Sequence, residues 1–189
     1  KHLVRCICQS QAYQRTSRVD PETDDVARDA LTTAFGRMPM RVMTADMLHD
    51  SLKLAYGESE LDLRSGGKVN TTGMAATVGD AYLEFQRRFG TNEEDSTDFT
   101  HGIAQMLTMI NHPRLLAGSK ALDEFLKTAP DASPAQAIEW LYLNTLSRRP
   151  TDEEASEAIE YVGQVPDVAK GYSGVLWMLV NRSEYILIR

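Results

Sequence analysis

Residues 141–163, "LYLNTLSRRPTDEEASEAIEYVG", decide the fold. The stretch begins as an apolar run, breaks at Pro150, and restarts as an acidic, alanine-rich run with a helical period. Proline cannot continue a helix, and Thr151 followed by Glu154 has the form of a capping box. The stretch therefore predicts two amphipathic helices joined at a corner.

Two arginines lie at this corner, and they allow two interpretations. Arg148 and Arg149 follow the first predicted helix, where the helix dipole is negative, and residues 152–154 place three acids at the positive start of the next. The charges serve either the helix ends alone or, in addition, an anionic ligand or partner. We favour the helix corner, because charge complementarity to helix ends is a common reason for such residues.

The same signals punctuate the rest of the chain. Helical periodicity dominates and strand alternation is nearly absent. We expect an all-α fold, an irregular bundle of about seven to nine helices with short loops, in one domain over residues 1–189 with a lobe boundary near residues 57–73. Helices are predicted to start at Asp20 with Pro21, at Thr44, and at Ser133 with Gln136. Gly36 and Gly57 are predicted to end helices.

Charge and hydropathy exclude two classes of partner. The 189-residue chain has a formal net charge of -7, which disfavours nucleic acid, although residues 1–41 form a mildly basic rim. No apolar stretch approaches the ~20 residues that span a bilayer, and we expect no signal peptide in the first residues, which become polar after a few apolar positions. The chain opens in mid-pattern without Met, so we expect a fragment of a longer protein.

Cys6 and Cys8 are separated by one residue. On a helix these positions point to different sides, so a shared metal or a mutual disulfide is disfavoured. We expect buried free thiols in place of a redox or metal pair.

The four histidines lack the i, i+4 spacing that puts two histidine ligands on one helical face. His49 lies between Asp46 and Asp50, and Asp46 is placed to orient its ring. A hydrolase would use His49 or His101 with a nearby carboxylate, but we favour a solvated helix face for His49, because a triad also needs a nucleophile. We expect no enzyme activity.

Other ligand motifs fail on particular residues. Gly66-Gly67-Lys68 is followed by Val69 where a phosphate loop needs Ser or Thr, and residues 92–103 have Thr97 where a calcium loop needs glycine. Haem-attachment, nucleophile-elbow and dinucleotide motifs are also missing. We predict no catalytic, cofactor-binding or metal residues and no cofactor.

Several segments together resemble one family. They are "KHLVRCICQSQAYQRTSR", "RMPMRVMTADMLHDSLKLAYG", "FQRRFG", "IAQMLTMINHP", "AIEWLYLNTLSRRPTDEEASEAIEYV" and "VLWMLVNRSEYI". In this order they resemble the C-terminal part of a planctomycete-specific domain of unknown function. The resemblance covers most of the chain, with residues 57–78 poorly matched. Its most specific marks are "LSRRPTDEE" and residues 177–185.

The resemblance implies a location but no chemistry. Proteins of that family are typically large and exported and often carry a planctomycete cytochrome C domain, which implies an extracytoplasmic place, periplasmic or at the cell surface. No activity and no site residues come with it. Any haem-binding part would lie outside this chain.

Two functions remain open. The first is a non-catalytic helical interaction or assembly domain of a large exported protein, whose partners are other domains of that protein or a separate protein. The alternative is an accessory glycan- or anion-binding domain of a surface enzyme or electron-transfer protein, which would use Arg148, Arg149 and the basic N-terminal rim. Aromatic residues are 7% of the chain and spread over several helices, so we expect them in the core and not in a stacking platform.

Overall fold

The computed structural model describes residues 1–17, 22–38, 40–58, 78–90 and 103–188, with the backbone alone for residues 78–81, 103 and 104. The predicted all-α class is confirmed: these residues form nine helices of seven or more residues and two of four. The helices are α1 His2–Cys8, α2 Asp25–Thr33, α3 Ala45–Tyr56, α4 Val78–Phe89, α5 Ile103–Asn111, α6 Pro113–Leu116, α7 Lys120–Thr128, α8 Pro134–Leu146, α9 Asp152–Gln164, α10 Val168–Val180 and α11 Ser183–Ile186.

Two compact units are distinguished. Unit 1 comprises Lys1–Val42 with Leu187–Arg189, and unit 2 comprises Met43–Ile186. The expected single domain with a lobe boundary near residues 57–73 stays a prediction, since residues 59–73 lie outside the described part of the chain.

Unit 2 contains the hydrophobic core. Helices α8, α9 and α10 pack against one another, and α3 packs against α4, α7 and α8. The helices α3, α8 and α10 turn their apolar stripes towards one another, and the leucines in these stripes are almost fully enclosed: Leu48, Leu52, Leu141, Leu176 and Leu179. The largest fully buried side chains are Tyr56, Tyr142, Leu48, Leu52, Leu115, Leu122, Ile138, Leu141, Leu176, Leu179 and Val175.

The predicted caps of unit 2 are confirmed. Ser133 with Gln136 and Thr151 with Glu154 both form complete capping boxes, in which each side chain bonds the backbone N–H of the other residue. The Thr44 hydroxyl accepts from the N–H of Met47 and starts α3. These contacts satisfy N–H groups that the first turn of a helix leaves without partners.

Gly57 ends α3 as predicted. Its backbone is left-handed, with φ of 66°, and the following N–H bonds the carbonyl of Lys53. A Cβ at this position would lie 2.5 Å from the backbone nitrogen of Ala121. Glycine is therefore required both by the turn and by the close approach of α7.

Unit 1 combines α1 and α2 with a two-stranded antiparallel sheet. Strand β1 Arg41–Val42 pairs with β2 Leu187–Ile188, Arg41 opposite Ile188. The predicted start of α2 is wrong: Asp24 caps this helix through the N–H of Ala27, while Asp20 and Pro21 lie outside the described residues.

The end of α2 also differs from the prediction. The N–H groups of Phe35 and Gly36 bond the carbonyls of Thr32 and Leu31, which is the Schellman arrangement. The left-handed residue is Phe35, with φ of 54°, and not Gly36. A phenylalanine thus adopts the backbone conformation that normally selects glycine.

The apolar residues Ile103, Met106, Leu107 and Ile110 recur at helical spacing and predict one buried face for α5, which is only partly correct. Met106, Leu107 and Ile110 are 40–52% exposed, and Met109 is buried among the described side chains of this helix. His112 and Pro113 do end α5, as the restriction on residues before proline predicts.

Candidate functional site

The corner between α8 and α9 brings two arginines and two glutamates together. Arg148 donates to Glu154 from Nη1 and Nη2, at 2.7 and 2.8 Å, and to Glu184 from Nε and Nη2, at 2.9 and 2.8 Å. Its remaining Nη1 bond goes to the carbonyl of Arg149 at 3.0 Å. Arg182 reaches Glu154 at 2.8 Å.

Every donor of the Arg148 guanidinium is therefore used, since arginine has five N–H groups. Its hydrogen bonds hold the pKa of the Glu154 carboxyl far below its ordinary value, against the opposing effect of burial. The two carboxylates in turn raise the pKa of Arg148. Because the pairs are satisfied within the protein, Arg148 has no N–H left for an external anion.

Arg149 has a different environment. Its side chain is 80% exposed and pairs with Glu139 at 2.8 Å. The structure thus supports the helix-corner interpretation for Arg148 and leaves Arg149 on the surface. The two arginines do not converge on a ligand.

His49 is buried, and the predicted solvated helix face is wrong. Its ring lies edge-on to Tyr82 and Phe85, with centroids 5.2 and 5.0 Å away, and its Nδ1 is 3.6 Å from Asp50 Oδ1. Asp46 accepts hydrogen bonds from Tyr82 and Gln86 instead of orienting the histidine.

This arrangement has the character of a packed core and not of a triad. The hydrogen bond from Tyr82 to Asp46 raises the pKa of the Tyr82 hydroxyl, which favours its neutral form. The burial of His49 is not visible in its sequence neighbours, because both aromatic rings come from α4, more than thirty positions along the chain. His101 lies outside the described residues.

The cysteines are free, and their predicted burial is wrong. Cys6 is exposed and Cys8 is half-buried. The Cys6 sulfur lies 3.5 Å from Nε2 of His2, which is four positions earlier. The spacing considered from the sequence was that between histidines, so this pair was not predicted. Within the described ranges, no three His, Cys, Asp or Glu side chains gather to hold a metal.

Unit 1 exposes large apolar side chains. Leu3, Val4 and Ile7 share a face of α1, and their exposed fractions are 71%, 62% and 50%. On α2 and at its end, Val26 and Phe35 are 79% and 80% exposed. No described residue of Lys1–Val42 is buried.

A groove of about 550 Å³ lies between α7, residues 129–132 and α8. Phe125 and Trp140 stack in its wall, with centroids 4.7 Å apart and ring planes at 16°. Asp131, Gln136 and Glu139 supply polar groups to its lining. The prediction that these aromatics lie in the core is only partly confirmed, since both are half-buried and pack against it.

A second cavity, of about 420 Å³, lies beside α9 and α10. Tyr161, Trp177 and Met178 contribute its apolar lining. The Trp177 indole N–H is already engaged, since it donates to the carbonyl of Ile110 at 3.0 Å. Gly174 lies against the Tyr161 side chain, and a Cβ at this position would require the partly exposed Tyr161 ring to shift.

The comparison with known families decides how far the resemblance holds. Residues 1–88 match the family model described as "PSD1: Protein of unknown function (DUF1553)". This match agrees with the predicted resemblance to a family of unknown function over residues 1–88 only. It lies in the N-terminal part of this chain and does not include the corner or residues 177–185, so the predicted placement is corrected.

The PSD1 match includes unit 1 as far as Val42, and α3. It provides no activity or site residue. No curated protein and no solved structure matches the chain. None of the described helices has the length and apolar character needed to cross a bilayer.

Proposed function

We propose that this chain is a non-catalytic helical interaction or assembly domain of a large exported protein, and that α1 and α2 bind another polypeptide. The partner is another domain of the same protein or a separate protein. The observation that carries the proposal is the absence of any buried side chain among the described residues of Lys1–Val42, in a region that exposes Leu3, Val4, Ile7, Val26 and Phe35.

Helix length supports the same conclusion. Helices α1 and α2 have seven and nine residues. Isolated helices shorter than about 12–15 residues are marginal in water, so short helices owe their stability to packing. Unit 1 provides little packing of its own.

The gain available from a partner is large. Full burial of one Val, Leu, Ile or Phe side chain is worth about 1.5–3 kcal/mol. Covering the five exposed apolar side chains would contribute on the order of 10 kcal/mol before ordering costs. This burial would offset a substantial part of the cost of ordering and association.

Phe35 is the strongest single indication. A non-glycine residue in the left-handed region costs about 1–2 kcal/mol, and such strain concentrates at functional positions. Here it presents an aromatic ring that is 80% exposed. A ring held outward by a strained backbone is suited to be an anchor in an interface.

An extracytoplasmic location is part of the proposal and rests on the family resemblance. The alternative function is an accessory glycan- or anion-binding domain that uses Arg148, Arg149 and the basic N-terminal rim. It has less support at the α8–α9 corner, because the five donors of Arg148 are all taken within the protein.

A photo-cross-linking experiment tests the proposal. Phe35 is replaced by p-benzoylphenylalanine, which preserves the ring, and the protein is irradiated in the cells that produce it. Leu54 is the matched control, since it is an apolar residue of unit 2 that is 74% exposed. We expect a discrete adduct with a polypeptide from position 35 and not from position 54. No adduct at position 35, or the same adduct at both positions, would remove the basis of the proposal.

A further inference from the structure

Two stacked aromatic side chains line the groove between α7 and α8. Phe125 comes from α7 and Trp140 from α8, and their planes are within 16° of parallel. Rings stacked with centroids 4.7 Å apart cover each other's inner faces, so the pair presents an outer ring face and ring edges to a ligand. It does not form the cage of rings at large angles that encloses a cation. The geometry therefore suits a flat, uncharged ligand surface.

The groove also contains unused hydrogen-bond donors. The indole N–H of Trp140 has no partner among the described residues, in contrast to that of Trp177. Buried or half-buried indoles usually find one. Gln136 uses its side-chain oxygen to accept from Ser133, which leaves its amide N–H groups directed to no described residue.

Acceptors lie beside these donors, and they carry negative charge. Asp131 is exposed in the groove lining without a described partner. Glu139 pairs with Arg149 through one oxygen, at 2.8 Å. Among the described lining residues, Asp131 and Glu139 carry negative charge and none is cationic, so the lining favours a neutral ligand over an anionic one.

We propose that this groove binds a neutral glycan. A pyranose ring would pack its C–H face against the Phe125–Trp140 pair, and its hydroxyls, which both donate and accept, would bond Asp131, Gln136 and the indole of Trp140. A proline-rich peptide fits less well, since prolines have no N–H to donate to the carboxylates. The site is independent of the proposed interaction role of unit 1.

Intrinsic fluorescence tests the proposal on the whole chain. The chain has two tryptophans, so Trp177→Phe leaves Trp140 as the single reporter. The Trp177→Phe protein is titrated with neutral hexasaccharides of cellulose, xylan, mannan, laminarin and chitin. A sulfated heparin hexasaccharide and a proline-rich decapeptide are titrated in the same way. We expect a saturable change with at least one neutral hexasaccharide, at a Kd of about 1 mM or tighter, and none with the other two probes.

Exposed polar groups supply the variants, because replacing the half-buried rings would disturb packing. Asp131→Ala removes an acceptor, and Gln136→Glu removes the amide donors while it keeps the oxygen that caps α8. Each should weaken binding about tenfold, and Asp123→Ala, an exposed acid of α7 outside the lining, should leave it unchanged. The proposal is overturned if no neutral hexasaccharide changes the emission of Trp140, if the decapeptide or the sulfated probe saturates instead, or if both variants bind like the parent.

Discussion

Arg148 and Glu154 form a bidentate ion pair across the corner between α8 and α9, with N–O distances of 2.7 and 2.8 Å. The same Glu154 carboxylate accepts from the backbone N–H of Thr151 and from Arg182. One side chain thus completes a capping box and an ion-pair network. The corner is a structural joint, because its charges satisfy one another.

Glu154→Gln keeps the shape and the capping oxygen but removes the charge. We expect a loss of about 2 kcal/mol in the free energy of unfolding, as hydrogen bonds to charged groups are worth about 1.5–3 kcal/mol. Thermal denaturation should show a Tm lower by roughly 4–8 °C. Glu153→Gln, an exposed neighbour, is the control and should change stability by less than about 0.5 kcal/mol.

The same pair predicts a pH dependence. The pKa of Glu154 is depressed below its ordinary value of 4.5 in the folded protein, so the unfolded chain takes up the proton first. The stabilisation is complete above about pH 5 and is lost as pH falls through the range below 4.5. Urea unfolding of parent and Glu154→Gln should therefore give free energies that converge at low pH. A constant difference from pH 7 to pH 3 would contradict this assignment.

Gly57→Ala should be among the most damaging single changes in unit 2. It forces a Cβ into a left-handed residue and against the backbone of Ala121, at a combined cost of about 3 kcal/mol. Gly163→Ala provides the contrast, because its Cβ would meet nothing within 4 Å. It should be neutral or stabilise α9 by about 0.5 kcal/mol. Chemical denaturation of the two variants measures the difference.

Two buried tyrosines should respond differently to loss of their hydroxyls. Tyr56 donates to the carbonyl of Leu115 at 3.0 Å, whereas the Tyr185 hydroxyl has no partner among the described residues. Tyr56→Phe should cost about 1 kcal/mol and Tyr185→Phe should be neutral or stabilising. Equal losses in urea denaturation would show that Tyr185 has a hydrogen bond of similar strength.

Phe35→Gly should stabilise the end of α2, because glycine relieves the left-handed strain of about 1–2 kcal/mol at some cost in chain entropy. In this variant, hydrogen exchange of the backbone amides at positions 35 and 36 should be slower than in the parent by a few-fold. Phe35→Ala removes the ring but keeps the Cβ, and it should not slow exchange. If both variants behave alike, the strain is not the cause.

Sequence patterns predicted the local features of this fold well. Local sequence is enough to predict the capping boxes at Ser133 and Thr151 and the turn at Gly57, because each depends on residues within four positions of each other. The end of α2 was missed by one residue, because Gly36 is the better left-handed residue and Phe35 takes that position instead.

The features that depend on distant residues were not predictable in this way. Glu184 joins the corner from 36 positions away, and Tyr82 and Phe85 bury His49 from another helix. One signal for the α7–α8 groove was present: Gln136 and Trp140 are four positions apart, which puts an amide and an indole on one face of α8. Phe125, which stacks on Trp140, comes from α7, so only the packing of the two helices could reveal the stacked pair.

Hydrogen–deuterium exchange of the purified 189-residue chain tests the central claim most directly, namely that α1 and α2, which have no buried side chain among the described residues, gain their packing from a partner. In a sample that sedimentation velocity shows to be monomeric, the amides of α1 and α2 should exchange at least about a thousandfold faster than those of α8, α9 and α10. Protection of α1 and α2 equal to that of α8–α10 in the monomer would contradict the account, because their apolar side chains would then be covered without a partner.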